Sequence, residues 1–180
     1  MARYLVVPDA SSLSVWTEKE GLLSTVAHDL EIAATGFSVA ATVEGGKFSV
    51  RVVVPVSGLK VKGAVKRGIV APLAEKDHRE IEATLAGTVL DAGAHPEIVY
   101  EGQGQNAADA DATGSLTLRG KTVSLPVSSH VSGVADEKRV EGVVRFKQTA
   151  FGVKPYSAML GTLRVKDELR VSWSLVLRKE

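Results

Sequence analysis

Residues 112–127 read ATGSLTLRGKTVSLPV. Leu116 and Leu118 alternate with Ser115, Thr117 and Arg119. Past Gly120-Lys121, the residues Val123, Leu125 and Val127 again fall on every second position. That period buries one face of an extended strand and leaves the other in water. Two such runs joined by a short glycine-containing turn read as a hairpin.

The same grammar recurs on both sides. Upstream, Glu97 to Glu101 (EIVYE) is a strand, and Gly102 to Asp111 reads as a mobile polar loop. Downstream, His130 to Lys138 reads as a turn region. Val140 to Lys147 is a strand with Val144 and Phe146 on one face, ended by Phe151-Gly152-Val153. Gly161 to Val165 and Glu168 to Arg178 are expected to form a last hairpin around Lys166-Asp167. In it Val171, Trp173, Leu175 and Leu177 alternate with Ser172, Ser174 and Val176.

Nearer the N-terminus, Leu13 to Thr17 is a short strand, and Asp29 to Ala34 puts Leu30, Ile32 and Ala34 on one face. Phe37 to Val43 runs into Glu44-Gly45-Gly46-Lys47, a Gly-Gly hairpin signal. On the return strand Phe48, Val50, Val52 and Val54 share a face, and Pro55 marks a bend or edge. Residues 60–70, KVKGAVKRGIV, read as a basic loop or weak strand. One helix is expected over Pro72 to Thr88, because Pro72 suits a first turn and His78, Ile81 and Leu85 recur at i, i+3 and i+7. No linker divides the chain, so residues 1–180 are read as a single domain.

Composition bounds the function. With 22 basic and 21 acidic residues the formal charge is +1, which argues against a nucleic-acid partner held by phosphate neutralisation. The absence of cysteine removes disulfides, thiolate catalysis and cysteine-held zinc. No run approaches the roughly 18 apolar residues of a membrane helix. MARYLVVPDASSLSVW lacks the apolar core of a signal peptide. As the sequence stands the chain is expected in the cytoplasm, or in the periplasm if a leader has been removed. Valine-rich strands with short turns and one helix favour an antiparallel barrel or a sandwich. A closed barrel of about eight strands can hold one small ligand; periodicity alone does not decide whether its interior is filled.

Several phrases in order resemble the YceI-like family of lipocalin-like, polyisoprenoid-binding barrels. Thr25-Val26-Ala27-His28-Asp29 is similar to its V-x-H element, and Gly36-Phe37 to its G-F pair. Asp77-His78 resembles D-x-H-L, and Val89 to Ile98 resembles the F-F-D-A and Y-P-x-I phrases. Thr113 to Thr122 is similar to T-G-x-L-T-I-R-G-V-T, Phe151-Gly152-Val153 to F-G-I, and Lys166 to Val171 to a closing v-x-D-x-V-x-I strand. The sequence departs from the pattern at Val89-Leu90, His95 and Arg79. The resemblance spans about residues 10–178. It implies an eight-stranded antiparallel lipocalin-like barrel with one helix, an elongated apolar cavity, and a bound isoprenoid or related long lipid.

Catalytic chemistry finds little support. His28-Asp29, Asp77-His78 and His95 could supply a three-ligand metal site, yet no H-E-x-x-H or comparable spacing accompanies them. No G-x-S-x-G elbow marks a nucleophilic serine. Lys60, Lys62, Lys66 and Arg67 could meet an anionic head group, although lysines on a strand edge also deter edge pairing. Trp16 and Trp173 suit a cavity mouth.

The sequence is therefore read as a non-enzymatic carrier or sequestering protein for a long apolar lipid: an isoprenoid, a prenyl-quinone or a fatty-acid-like chain. Its expected lining is Leu30, Ile32, Phe48, Val50, Val52, Val54, Leu116, Leu118, Val144, Phe146, Val171, Trp173 and Leu175. His28 and His78 are the polar candidates at the mouth. No cofactor, metal or catalytic residue is expected, and self-association into a homodimer is compatible with the sequence. The alternatives are a filled-core interaction module and, further off, a metal-assisted hydrolase.

Overall fold

Alternating strands need partners for their backbone groups and a shared place to bury their apolar faces, and a sheet closed on itself supplies both. The computed structural model describes residues 1–21 and 28–180. The Thr25-Val26-Ala27 part of the V-x-H phrase lies outside the described residues.

In chain order the strands are β1 (Ala2–Val6), β2 (Ser12–Thr17), β3 (Lys19–Glu20), β4 (Asp29–Ala34), β5 (Ser38–Glu44), β6 (Lys47–Pro55), β7 (Leu59–Lys66) and β8 (Ile69–Ala71). After helix α1 (Glu75–Thr84) come β9 (Glu97–Gln105), β10 (Asp109–Leu118), β11 (Lys121–Ser124), β12 (Val127–Gly133) and β13 (Glu137–Lys147). Last are β14 (Ser157–Ala158), β15 (Leu163–Val165) and β16 (Glu168–Lys179).

The pairing order β1-β5-β6-β9-β10-β12-β13-β16 closes because β16 also pairs β1, giving an eight-stranded antiparallel barrel. Several staves are one strand in two pieces. β1 and β2 both lie along β16, broken by the turn at Pro8–Ala10. β4 and β5 bend at Gly36, and β6 and β7 bend at Val56–Gly58 after Pro55. Pro126 separates β11 from β12, since proline cannot donate to the ladder. Beyond these breaks β2-β4-β7-β8 continues the sheet from β16, and α1 lies against β7.

The opening hairpin forms with Leu116 opposite Val123, its turn centred on Arg119-Gly120, both at positive φ. Gly45-Gly46 makes the corresponding tight turn between β5 and β6.

Five expectations need correction. Residues 60–70 are ordered strand and hairpin: Leu59 and Val61 are buried and Lys60 is wet, a register shift against Glu31/Ile32 resets the parity at Lys62, and Ala64 is then the buried position, so the bulge, glycines and lysines mask the strand. Gly102 to Asp111 is two strands meeting at residues 106–108, because aromatic rings lie over Gly102 and Gly104 where side chains would otherwise stand. His130 to Gly133 belongs to β12, and only residues 134–136 turn. The helix starts at Glu75, not Pro72, and passes into a wider π turn over Leu85–Val89. β15 does not pair with β16; it joins β14 and β3 in a small second sheet. The Gln148 side-chain amide donates to the Lys166 carbonyl at 2.9 Å, and the Lys166 N–H donates to the Glu18 carbonyl at 2.7 Å, turning the chain away from a hairpin.

Candidate functional site

The inward faces of the staves enclose an elongated cavity of about 870 Å³. At one end lie the β5–β6, β9–β10 and β12–β13 turns; the Tyr4 hydroxyl donates to the Ala135 carbonyl there at 2.8 Å. At the other end, the candidate mouth, where β2 and β13 end and β4 and β16 begin, the wall includes Thr17, His28, Leu169, Phe146, Tyr156 and Arg164. Between the ends the wall is almost entirely aliphatic and aromatic.

The hollow has an identifiable cause. Inward positions are small at several places: Ala34, Ala41, Ala110 and Ala112 are buried lining residues. The rings lie flat on glycines. Phe48 faces Gly104 across β6–β9, and Trp173 faces Gly142 across β13–β16. A Cβ at Gly104 would stand 2.8 Å from the Phe48 ring, and one at Gly142 would overlap the indole of Trp173. The Tyr100 ring lies back over Gly102 and Gly114. Rings laid along the wall leave the lumen open; the same rings pointing inward would fill it.

Tyr100 carries the one buried side-chain polar atom without a hydrogen-bond partner among the described residues, its hydroxyl. Burial pushes that phenol above the usual tyrosine range.

Leu30, Ile32, Phe48, Val50, Val52, Val54, Leu116, Leu118, Val144, Phe146, Val171, Trp173 and Leu175 all lie on the cavity wall. His28, directly before β4, borders the cavity. His78 is not a lining residue: α1 turns Glu80, Ile81 and Thr84 to the cavity and leaves His78 half-buried beside it. Trp16 is on the outer face of β2, where its N–H donates to Ser172 Oγ at 2.8 Å and the Arg170 guanidinium sits 4.5 Å above the ring. The helix wall, with Leu85 and Val89, and the glycine positions were missed in sequence. The signal for the latter was glycine at inward parity opposite an aromatic.

The wall's polar members include Lys19, His28, Gln148, Tyr156 and Arg164 toward the candidate mouth, Asn106, Ser129 and Lys138 toward the turn end, and Glu80 and Thr84 on α1. Arg164 is ion-paired to Glu20 at 3.7 Å. The Lys166 ammonium, hydrogen-bonded to Glu18, holds that carboxyl below the usual glutamate range and is itself raised. Thr149, through its hydroxyl and N–H, lowers Asp167. Of the basic cluster, Lys60 pairs with Glu82 at 3.3 Å; Lys62, Lys66 and Arg67 make no ion pair among the described residues. Among those residues no three His, Asp or Glu side chains converge as metal ligands. No helix there is long and apolar enough to cross a membrane.

The family model for the YceI-like domain matches residues 4–177. Among solved structures, BcnA of Burkholderia cenocepacia superposes with a TM-score of 0.69 at 19% identity, covering 95% of this chain and 98% of that one. A polyisoprenoid-binding domain from Saccharophagus degradans, implicated in plant cell wall breakdown, also gives 0.69, at 12% identity and 98% of both chains. A YceI protein of Campylobacter jejuni gives 0.60 at 12% identity, covering 82% of each. No curated protein matches the chain in sequence.

Proposed function

The chain belongs to the YceI-like domain family, and from that membership we propose that it is a non-enzymatic carrier or sequestering protein for a long-chain lipid, an isoprenoid first among them. The observation that carries this reading is the continuous apolar cavity of about 870 Å³, in the upper range of small-molecule sites. Each methylene taken from water into such a wall is worth about 0.8 kcal/mol, so a long chain gains affinity with length until ordering costs intervene. The polar groups at the mouth suit a head group left near solvent. The polyisoprenoid binding of the Saccharophagus domain supports the choice of ligand class.

A filled-core interaction module fits less well, because space of this size inside a core would forfeit packing with no return. The test is mass spectrometry of lipid extracted from gently purified protein, followed by native mass spectrometry after incubation with a prenyl-quinone and fatty-acid panel. A one-to-one adduct rising in stability with chain length is expected. Protein that carries nothing and takes up no member of the panel would remove the reading.

A further inference from the structure

Two hairpins, β7–β8 and β14–β15, project beside the mouth and carry exposed apolar residues. Leu30 lines the cavity, and its partner across β4–β7 is Ala64. Lys66, two residues on, shares that face and pairs with Ile69 across the β7–β8 turn. Lys66 and Ile69 therefore extend the cavity-facing side past Asp29, where β4 begins. Ile69 is 71% exposed. Arg67, at the turn itself, and Lys62, on the same strand, are exposed cations that, like Lys66, make no ion pair among the described residues.

The second hairpin, β14–β15, hangs from the same end. β15 pairs with β3, which leaves the barrel after Thr17, so residues before Leu163 run outward alongside Gly21. Leu160 is fully exposed at its tip. Tyr156, also exposed, lines the mouth beneath it. Met1 and Val134 are exposed at the opposite end, where Arg3, Arg178 and Lys179 are each tied to an acid and Lys47 is a single exposed cation outside an ion pair among the described residues, against three on the β7–β8 hairpin.

Apolar tips beside unpaired cations, around the opening of an apolar cavity, match a surface with a negatively charged plane over hydrocarbon. We propose that the mouth end docks on an anionic lipid bilayer, with Ile69 and Leu160 entering the interface and Lys62, Lys66 and Arg67 meeting the head groups. The inference rests on the lipid-carrier reading for its purpose: docked this way, a lipid passes between bilayer and cavity along the Lys66/Ile69 face without crossing water.

Co-sedimentation of the full chain with vesicles tests it, comparing pure phosphatidylcholine with a two-to-one mixture of phosphatidylcholine and phosphatidylglycerol. Binding is expected to the mixture only, and to fall as salt rises. Each cation near an anionic surface contributes about fivefold, so Lys66→Glu with Arg67→Glu lowers partitioning by at least about thirtyfold. Ile69→Ser with Leu160→Ser weakens binding to the mixture at high salt as well. Val134→Ser at the far end leaves binding unchanged. These are exposed positions, and unchanged thermal unfolding confirms each variant is folded. No partitioning of wild type, equal partitioning of all variants, or a concentration-dependent dimer abolished by Ile69→Ser would each overturn bilayer docking. Lipid uptake in vesicle-free solution is unaffected by that failure, so the two readings are separable.

Discussion

Gly142 stands directly opposite Trp173, and its missing Cβ is the space the indole occupies. Gly142→Ala puts a methyl into that ring and within 2.7 Å of the Ser128 carbonyl. The expected cost is about 1–3 kcal/mol in urea unfolding, the range for overpacking. Tyr100→Phe is expected to behave oppositely. The hydroxyl is buried without a partner, so removing it leaves stability equal or higher, by up to about 1 kcal/mol. Unfolding midpoints check this, and a loss of stability would mean that the hydroxyl has a partner. At this scale the sequence was half legible. Alternation identified Phe48, Val52 and Trp173 as inward-facing, because period two is local. Gly104, opposite Phe48, was read as part of a loop, and Gly142, opposite Trp173, drew no notice inside its strand, because the use of each depends on a neighbour dozens of residues away.

Elements were legible where one face is apolar and the other wet, as in β4, whose bounds match expectation, and in β6 and β13. They were misread where tertiary contacts supply what the local pattern lacks. β7 was left between a basic loop and a weak strand, and α1 is what firms it as strand: Glu82 accepts from the Val61 N–H at 3.0 Å and from Lys60 at 3.3 Å. Glu82→Ala leaves a partly buried backbone donor unpaired and is expected to cost about 1–2 kcal/mol. Amide exchange should quicken in β7 and α1 before the rest of the barrel. β15 was assigned to the wrong sheet because its ties, Lys166 to Glu18 and Gln148 to Lys166, are long-range. The Glu18–Lys166 pair gives a pH dependence with a definite sign. Glu18 is lowered by its hydrogen bond to Lys166, so its contribution is present above the unfolded carboxylate pKa. It is lost as pH falls through the lowered folded value. Lys166 is raised, so its share persists until strongly alkaline pH. Both groups are half-exposed, which keeps the effect small. The unfolding curves of wild type and Glu18→Gln should differ at neutral pH and converge in acid.

For the whole molecule, strands, turns and one helix left barrel and sandwich both open, and the ordered family phrases pointed to the barrel. Closure itself depends on β16 meeting β1 at Tyr4 and Lys179, a pairing of the chain's two ends that no local pattern encodes. Hollowness likewise emerges only when small residues and flattened rings from separate staves face one lumen. On the proposed reading this lumen takes a long-chain lipid. Trp173 lines it and Trp16, the other tryptophan, does not. In a Trp16→Phe protein the fluorescence of Trp173 alone reports on the cavity. Titration with a prenyl-quinone is expected to quench it saturably at one equivalent, and cavity-filling Ala41→Phe with Ala112→Phe should abolish that quenching. Quenching that is absent, or linear and identical when Trp16 is the sole fluorophore, would contradict the claim.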